Sequence, residues 1–459
     1  MRSTVGVRIP GLLVLAVSLI GCGNNNSAST GTTKPQTLQN YFAPTSLLQP
    51  WLTNTIDDAN HKYSQIQYGD EGTYSEVLTA GNLTVNPRGL RILGFTTQYA
   101  TGSSQPVATY DPPLSGGFAL ELAGQAGGLI QPMQTPQSSA PVVVPVKPMV
   151  AAINCPNFSA AQTYLFITLL GSSGGWNAAT DTAYGTVDIS TNGTAVNFNN
   201  IAQFTLPSAG VSGTPAQPSS ATKSGVCNQT SFGQLVAVPG QVATTDPGGI
   251  HQSRPPQAQI GIGPNQLLVE DNGSATALFP AGASTSPFLP YENVLGAGYG
   301  AVGLPRSSSP VDTGSAVGSQ YLGFVYATGD PSNPVSFSGS SHVASFGFSA
   351  VPSACSSVAA STSTLIYGGD FKNDDPSSSS DGFGNCDFAI DLGPQDSANN
   401  GLYRNATVWV GAGYSGNTTG ENYSFSAVAI AGQLSGKYAI FLLGKDASQP
   451  WAIYLLQSN

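Results

Sequence analysis

The sequence predicts an all-β protein, on three observations. Charged residues make up 8% of the chain, about a third of the usual ~25% share and too few to solvate the outer faces of long helices. Glycine (55) and proline (33) supply turns throughout, while 19 Phe and 18 Tyr in a 40% hydrophobic composition can fill a core, so disorder does not describe the whole. Short runs rich in aromatic and β-branched residues recur along the chain, as in Leu90-Arg91-Ile92-Leu93, Tyr164-Leu165-Phe166-Ile167, Phe324-Val325-Tyr326 and Thr407-Val408-Trp409-Val410. Gly, Asn or Pro bounds them, which is the pattern of strands separated by turns.

Residues 1–21 precede this body and read as a cleaved signal peptide. Arg2 and Arg8 give a positive start, Gly11 to Ile20 a short apolar stretch, and Gly21-Cys22 its end. A spanning helix needs about 20 apolar residues, roughly twice this run. The segment Leu19-Ile20-Gly21-Cys22 resembles the bacterial lipobox. That resemblance implies cleavage before Cys22 and a diacylglycerol on its sulfur, and several acyl chains, at about 0.8 kcal/mol per buried CH₂, make attachment durable. It also implies sorting to the outer membrane, because Gly23 stands where an aspartate would favour inner-membrane retention. Residues 22–39, rich in Asn, Ser, Thr and Gly, have the composition of a flexible tether. Cleavage removes Arg2 and Arg8 and takes the formal charge from −10 to −12. Acidity without clustered Lys or Arg excludes nucleic acid and anionic lipid headgroups as partners.

The β body spans 40–459. In one unit Tyr164–Leu169 is followed by Tyr184–Ile189, the turn Asn192-Gly193 and Thr194–Phe198; in another Ile260–Ile262 and Leu267–Val269 lead to Asn272-Gly273 and Ala275–Phe279. Asn-Gly between alternating residues is a strong hairpin signal. Both units are similar to blades of a β-propeller, which implies that architecture. The alternative is two or three β-sandwich or barrel domains in tandem. Leu114-Ser115-Gly116-Gly117-Phe118-Ala119-Leu120 also matches Leu434-Ser435-Gly436-Lys437-Tyr438-Ala439-Ile440, which points to related units at 40–135 and 355–459 flanking a middle region at 150–350. Pro/Ser/Gly-rich stretches, 131–149 and 206–224 among them, read as surface insertions.

Besides Cys22 there are four cysteines, and an exported chain is expected to oxidise them. Of the three connectivities, nearest neighbours close the shortest loops: Cys155 with Cys227 and Cys355 with Cys386. Acidic residues gather at Asp370, Asp374, Asp375, Asp381, Asp387, Asp391 and Asp396. Oxygen ligands in a loop suit Ca²⁺, with Asp370, Asp374, Asp375 and Asp387 as its candidate ligands; Asp is also an ordinary turn former.

Catalytic patterns lack their required context. Gly171-Ser172-Ser173-Gly174-Gly175 fits G-x-S-x-G, but a second strand follows where a helix is needed. Ser220-Ala221-Thr222-Lys223 lies in a Pro/Ser-rich stretch. Gly368-Gly369-Asp370-Phe371 departs from the cyclic-dinucleotide synthase signature at Phe371 and reads as a strand end. His61, His251 and His342 are scattered, and Trp51, Trp176, Trp409 and Trp451 suit sugar stacking or core packing. The expectation is therefore a noncatalytic, membrane-anchored envelope lipoprotein that binds a protein or carbohydrate ligand or serves structurally. The alternative is a tethered propeller hydrolase or lyase acting on a carbohydrate or lactone.

Overall fold

The computed structural model describes residues 39–44, 51–68, 75–86, 88–100, 105–121, 127–132, 147–151, 160–170, 182–191, 195–206, 223–230, 233–237, 258–262, 267–271, 299–327, 340–349, 355–361, 364–370, 386–414, 417, 419–434, 436–446 and 450–458. Among them are 24 strands and no α-helix. The strands close into three barrels of eight.

The first barrel comprises β1 (Gln39–Pro44), β2 (Trp51–Asp57), β3 (Lys62–Tyr68), β4 (Ser75–Val85), β5 (Arg91–Ala100), β6 (Pro106–Glu121), β7 (Gly127–Pro132) and β8 (Lys147–Ala151). The second comprises β9 (Gln162–Leu170), β10 (Thr182–Thr191), β11 (Ala195–Thr205), β12 (Lys223–Thr230), β13 (Gly233–Ala237), β14 (Ala258–Ile262), β15 (Leu267–Asp271) and β16 (Tyr299–Pro305). The third runs through β17 (Gln320–Ala327), β18 (Ser340–Ser349), β19 (Leu365–Asp370), β20 (Phe388–Asp391), β21 (Leu402–Val410), β22 (Tyr423–Leu434), β23 (Lys437–Lys445) and β24 (Pro450–Gln457). Within each barrel, every strand pairs antiparallel with its neighbours in sequence. The last returns to the first: Tyr41 lies opposite Ala151, Phe166 opposite Gly303, and Phe324 opposite Tyr454.

This topology replaces the propeller expectation with tandem barrels. A propeller blade is a separate four-stranded sheet that keeps its edges, whereas here every strand is paired on both sides and closure removes the edge. The first hairpin reading holds, with β10 and β11 joined across Asn192-Gly193. In the second unit, β14 pairs with β15 as expected, but β15 then pairs with β16; the expected strand Ala275–Phe279 lies outside the described residues. The expected units 40–135 and 355–459 fall within the first and third barrels, and the third begins earlier, at Gln320. Of the matching segments, Leu114–Leu120 lies on β6 and Leu434–Ile440 passes from β22 into β23.

Strand pattern explains the packing of the third barrel. In β21, Ala406, Val408 and Val410 are buried, while Thr407 and Trp409 between them are partly exposed. This alternation gives one inward and one outward face. Seven consecutive residues of β23, Tyr438 to Gly444, are instead buried. Tyr438, Ile440 and Leu442 belong to the barrel's interior cluster; Ala439, Phe441 and Leu443 belong to a second cluster outside it. That outer cluster also contains Leu165, Ile167 and Leu304 of the second barrel and Leu90 and Leu120 of the first. One apolar seam thus joins all three barrels.

Polar contacts fix the seam between the second and third barrels. The Arg404 Nε donates to Asp396 Oδ2 at 2.5 Å and its Nη1 to the Tyr184 hydroxyl at 3.2 Å, while the guanidinium lies 4.6 Å from the centre of the Phe204 ring. Gly401 approaches the same seam in a left-handed conformation (φ +92°), and an added Cβ would stand 2.3 Å from the Ala431 carbonyl oxygen. No other residue fits there without moving the backbone.

Candidate functional site

The three barrel interiors differ in chemistry. In the second, Tyr164, Phe166, Val187 and Ile189 are buried. In the third, the interior is largely aromatic: Trp451 is fully buried, its ring stacked on Phe425 at 5.5 Å and tilted against Tyr414 at 6.0 Å. Eight-stranded barrels either fill with side chains in this way or hold one small ligand. Among the described residues, the first barrel departs from its neighbours by burying the amides Asn54, Gln65 and Gln98.

Register builds this polar layer. Asn54 on β2 lies opposite Gln65 on β3, Gln65 opposite Thr79 on β4, and Thr79 opposite Gln98 on β5. Four successive strands therefore place polar residues in one cross-strand row. A bulge completes it. Between β4 and β5 the pairing passes from Gly81–Phe95 to Ala80–Thr97, so Thr96 is an extra residue, and its Oγ1 donates to the Ala80 carbonyl. Without that residue, Gln98 would have the parity of the outer face; the bulge turns it inward, a common use of bulges near sites.

The amides of this row are not spent on one another. Asn54 is 1% exposed, and neither its Nδ2 nor its Oδ1 has a hydrogen-bond partner; the same is true of Gln65 Nε2, on a residue 7% exposed. Leaving a buried polar group unpaired costs about 1–3 kcal/mol. The adjacent layer is apolar. Ile56 and Tyr63 lie opposite each other, and the Tyr63 ring packs over Gly81, where an added Cβ would come within 2.9 Å of it. Burial pushes the Tyr63 phenol well above the usual tyrosine range, so it stays protonated.

Charge closes the end of the barrel beyond that apolar layer. The Arg91 guanidinium pairs with Asp58, with Nη2 2.6 Å from Oδ2, and with Glu121. All three side chains are largely buried, at 11%, 22% and 6% exposure, so the cation is compensated on both sides. Asp58 belongs to the β2–β3 turn, where Asn60 N donates to Asp57 Oδ1 and His61 adopts φ 55°. His61 is a turn residue there.

Unpaired polar atoms also occur in the third barrel, at the hydroxyls of the buried Tyr321 and Tyr403. Burial first, and the neighbouring Tyr438 second, pushes Tyr403 up to about 12 and Tyr321 higher still. These are single hydroxyls in an aromatic core. The segment before β17 covers them, its Asp312 carbonyl accepting from the Tyr438 hydroxyl and Val311 and Ala316 joining the core. The amide row of the first barrel is the richer site.

Among the residues singled out in the sequence, Cys355 and Cys386 form a disulfide with Cα atoms 5.2 Å apart. It pins the 355–359 segment over Leu365 and Ala389 on the outside of the third barrel. Cys227 lies on β12, opposite Val236, while Cys155 and Cys22 lie outside the described residues. Of the calcium candidates, Asp370 and Asp387 are both buried but have opposite parity: the Asp387 carboxylate lies against Gly369, on the outer face with Ala389, while Asp370 has the parity of Ile366 in the interior. Asp374 and Asp375 lie outside the described residues, and the described residues hold no group of three His, Cys, Asp or Glu that could bind a metal. Gly368-Gly369-Asp370 ends β19, as read. Gly171–Gly175, Trp176 and His251 lie outside the described residues, and His342 sits on β18. Trp451 is a core residue whose Nε1 donates to Asp446. Asn54, Gln65, Gln98 and Arg91 were not anticipated as site residues.

No family model matches the chain, and no curated protein does. Solved structures similar to it include two of transferrin-binding protein B. One is a double-mutant vaccine antigen from Haemophilus parasuis Hp5, 8% identical, with 92% of this chain and 76% of that one covered at a TM-score of 0.22. The other is intact Ap-TbpB with its N and C lobes, 10% identical, with 92% and 77% covered at a TM-score of 0.20. At these TM-scores neither likeness determines the fold or the function of this chain.

Proposed function

We propose that this chain is a lipid-anchored protein of the bacterial envelope that holds a small ligand inside its first barrel and does not transform it. One observation supports this above others: Asn54 is buried with both amide atoms unpaired inside an eight-stranded barrel, a strand number that can enclose one small ligand. The second and third barrels, which share an apolar seam, act as the mount. The lipobox-like Leu19-Ile20-Gly21-Cys22 supports attachment through acyl chains on Cys22, with residues 22–39 as tether and Gly23 favouring the outer membrane.

The test is native mass spectrometry of the mature protein extracted from its own envelope. Wild type should retain a small-molecule adduct that Asn54→Leu and Gln65→Met lose. An adduct-free wild type, or one kept equally by both variants, would contradict the reading. The anchor has its own test: Cys22→Ser should move the protein from the membrane fraction to the soluble fraction, and continued detergent partitioning would refute it.

A further inference from the structure

Resting on that reading of the first barrel, we infer that its ligand is a small neutral molecule bearing several hydroxyl groups, of the sugar class and not an ion. The row of Asn54, Gln65 and Gln98 carries no charge. It offers donors and acceptors together: Asn54 presents an unpaired NH₂ and an unpaired carbonyl oxygen, and Gln65 an unpaired NH₂. A hydroxyl both donates and accepts, so it pairs with either end of an amide.

Other ligand classes fit worse. An anion would face the Asn54 carbonyl oxygen and would need a cation beside it; among the described residues the buried cation is Arg91, already held by Asp58 and Glu121 at the barrel's end. A cation would face the amide NH₂ groups with no carboxylate in the row. Neither charge would be compensated by the amide row, and a buried uncompensated charge is far more costly than a buried neutral polar group. An apolar ligand would leave the amides unpaired. Tyr63 and Phe95, both buried in the adjacent registers, add apolar surface of the kind the C–H faces of a sugar contact. The bulge at Thr96 argues that the row is built, since it brings Gln98 to the side where Asn54 and Gln65 lie.

The experiment is isothermal titration calorimetry of the full mature chain in detergent, with glucose and N-acetylglucosamine as neutral probes and glucuronate and glucosamine as charged ones. At least one neutral probe should bind. Its charged congener should bind about tenfold or more weakly, as should the neutral probe to Asn54→Leu and Gln65→Met. Circular dichroism and melting confirm that each variant is folded, and two variants guard against the failure of either. Binding of the charged sugars as tight as the neutral ones, and lost in Asn54→Leu, would overturn the neutral class and leave the binding barrel standing. Neutral binding unchanged in both variants would overturn the site. No binding by any probe would overturn the sugar class, and retention of an adduct in native mass spectrometry then separates that failure from failure of the binding module.

Discussion

In the proposed site, Asn54 puts ligand binding and stability in opposition. Its amide is desolvated without a partner, so replacing it by leucine, similar in shape and apolar, removes a cost of about 1–3 kcal/mol. Asn54→Leu should therefore raise the urea midpoint while it abolishes ligand retention; a lowered midpoint would mean the amide is satisfied in the free protein. Arg91 is the opposite case. Removing it takes the cation from Glu121, only 6% exposed, so Arg91→Met should lower unfolding free energy by about 3–5 kcal/mol in the same assay. Neither role was legible in the sequence. The stretch Trp51-Leu52-Thr53-Asn54-Thr55-Ile56-Asp57 is polar at both parities near its centre, so alternation alone does not say which face turns inward. Gln98 was hidden more deeply, because its direction depends on the extra residue at Thr96.

Single elements carry two further tests. The bond from Cys355 to Cys386 closes a loop with a sequence separation of 31, for which loss of chain entropy in the unfolded state gives about 3–4 kcal/mol of stabilisation. Cys355→Ser should lose that amount, and mapping without reductant should recover the two cysteines in one linked peptide. Short spacing made this pair readable from sequence. Asp396 governs acid sensitivity at the seam. Burial would raise its pKa, but the hydrogen bond and charge of Arg404 and the backbone N–H groups of Ala398 and Asn399 outweigh it and hold the carboxyl below its ordinary range. The unfolded chain, with Asp near its usual ~3.9, then takes up the proton first. Stability from this group is thus full above about pH 4 to 5 and is lost as pH falls through the lower folded value. Asp396→Asn should flatten the stability profile below about pH 4, and an unchanged slope would refute the coupling.

Across the whole molecule, strand content was legible and closure was not. Turn-bounded apolar runs gave strands such as β9, β10 and β21, but a hairpin looks the same in a blade, a sandwich or a barrel. What decides is the long-range return of the eighth strand to the first, as where Phe324 meets Tyr454 across more than half of the third barrel's chain. The unbroken apolar run of β23 is the signal by which the seam could have been found, since a strand buried on both faces needs a neighbour beyond its own barrel. Phe441, fully buried there and set edge-on to Tyr454 at 5.6 Å, should cost about 3–5 kcal/mol on change to alanine and increase hydrogen exchange in the second and third barrels together. Protection lost in the third barrel alone would show that the seam does not couple them. The central claim concerns the first barrel, and a crystal structure of the mature protein grown with N-acetylglucosamine tests it most directly. The account predicts the sugar inside that barrel with its hydroxyls hydrogen-bonded to Asn54 and Gln65, and an interior holding water alone, or closed by Asn54 bonding to Gln65, would contradict it.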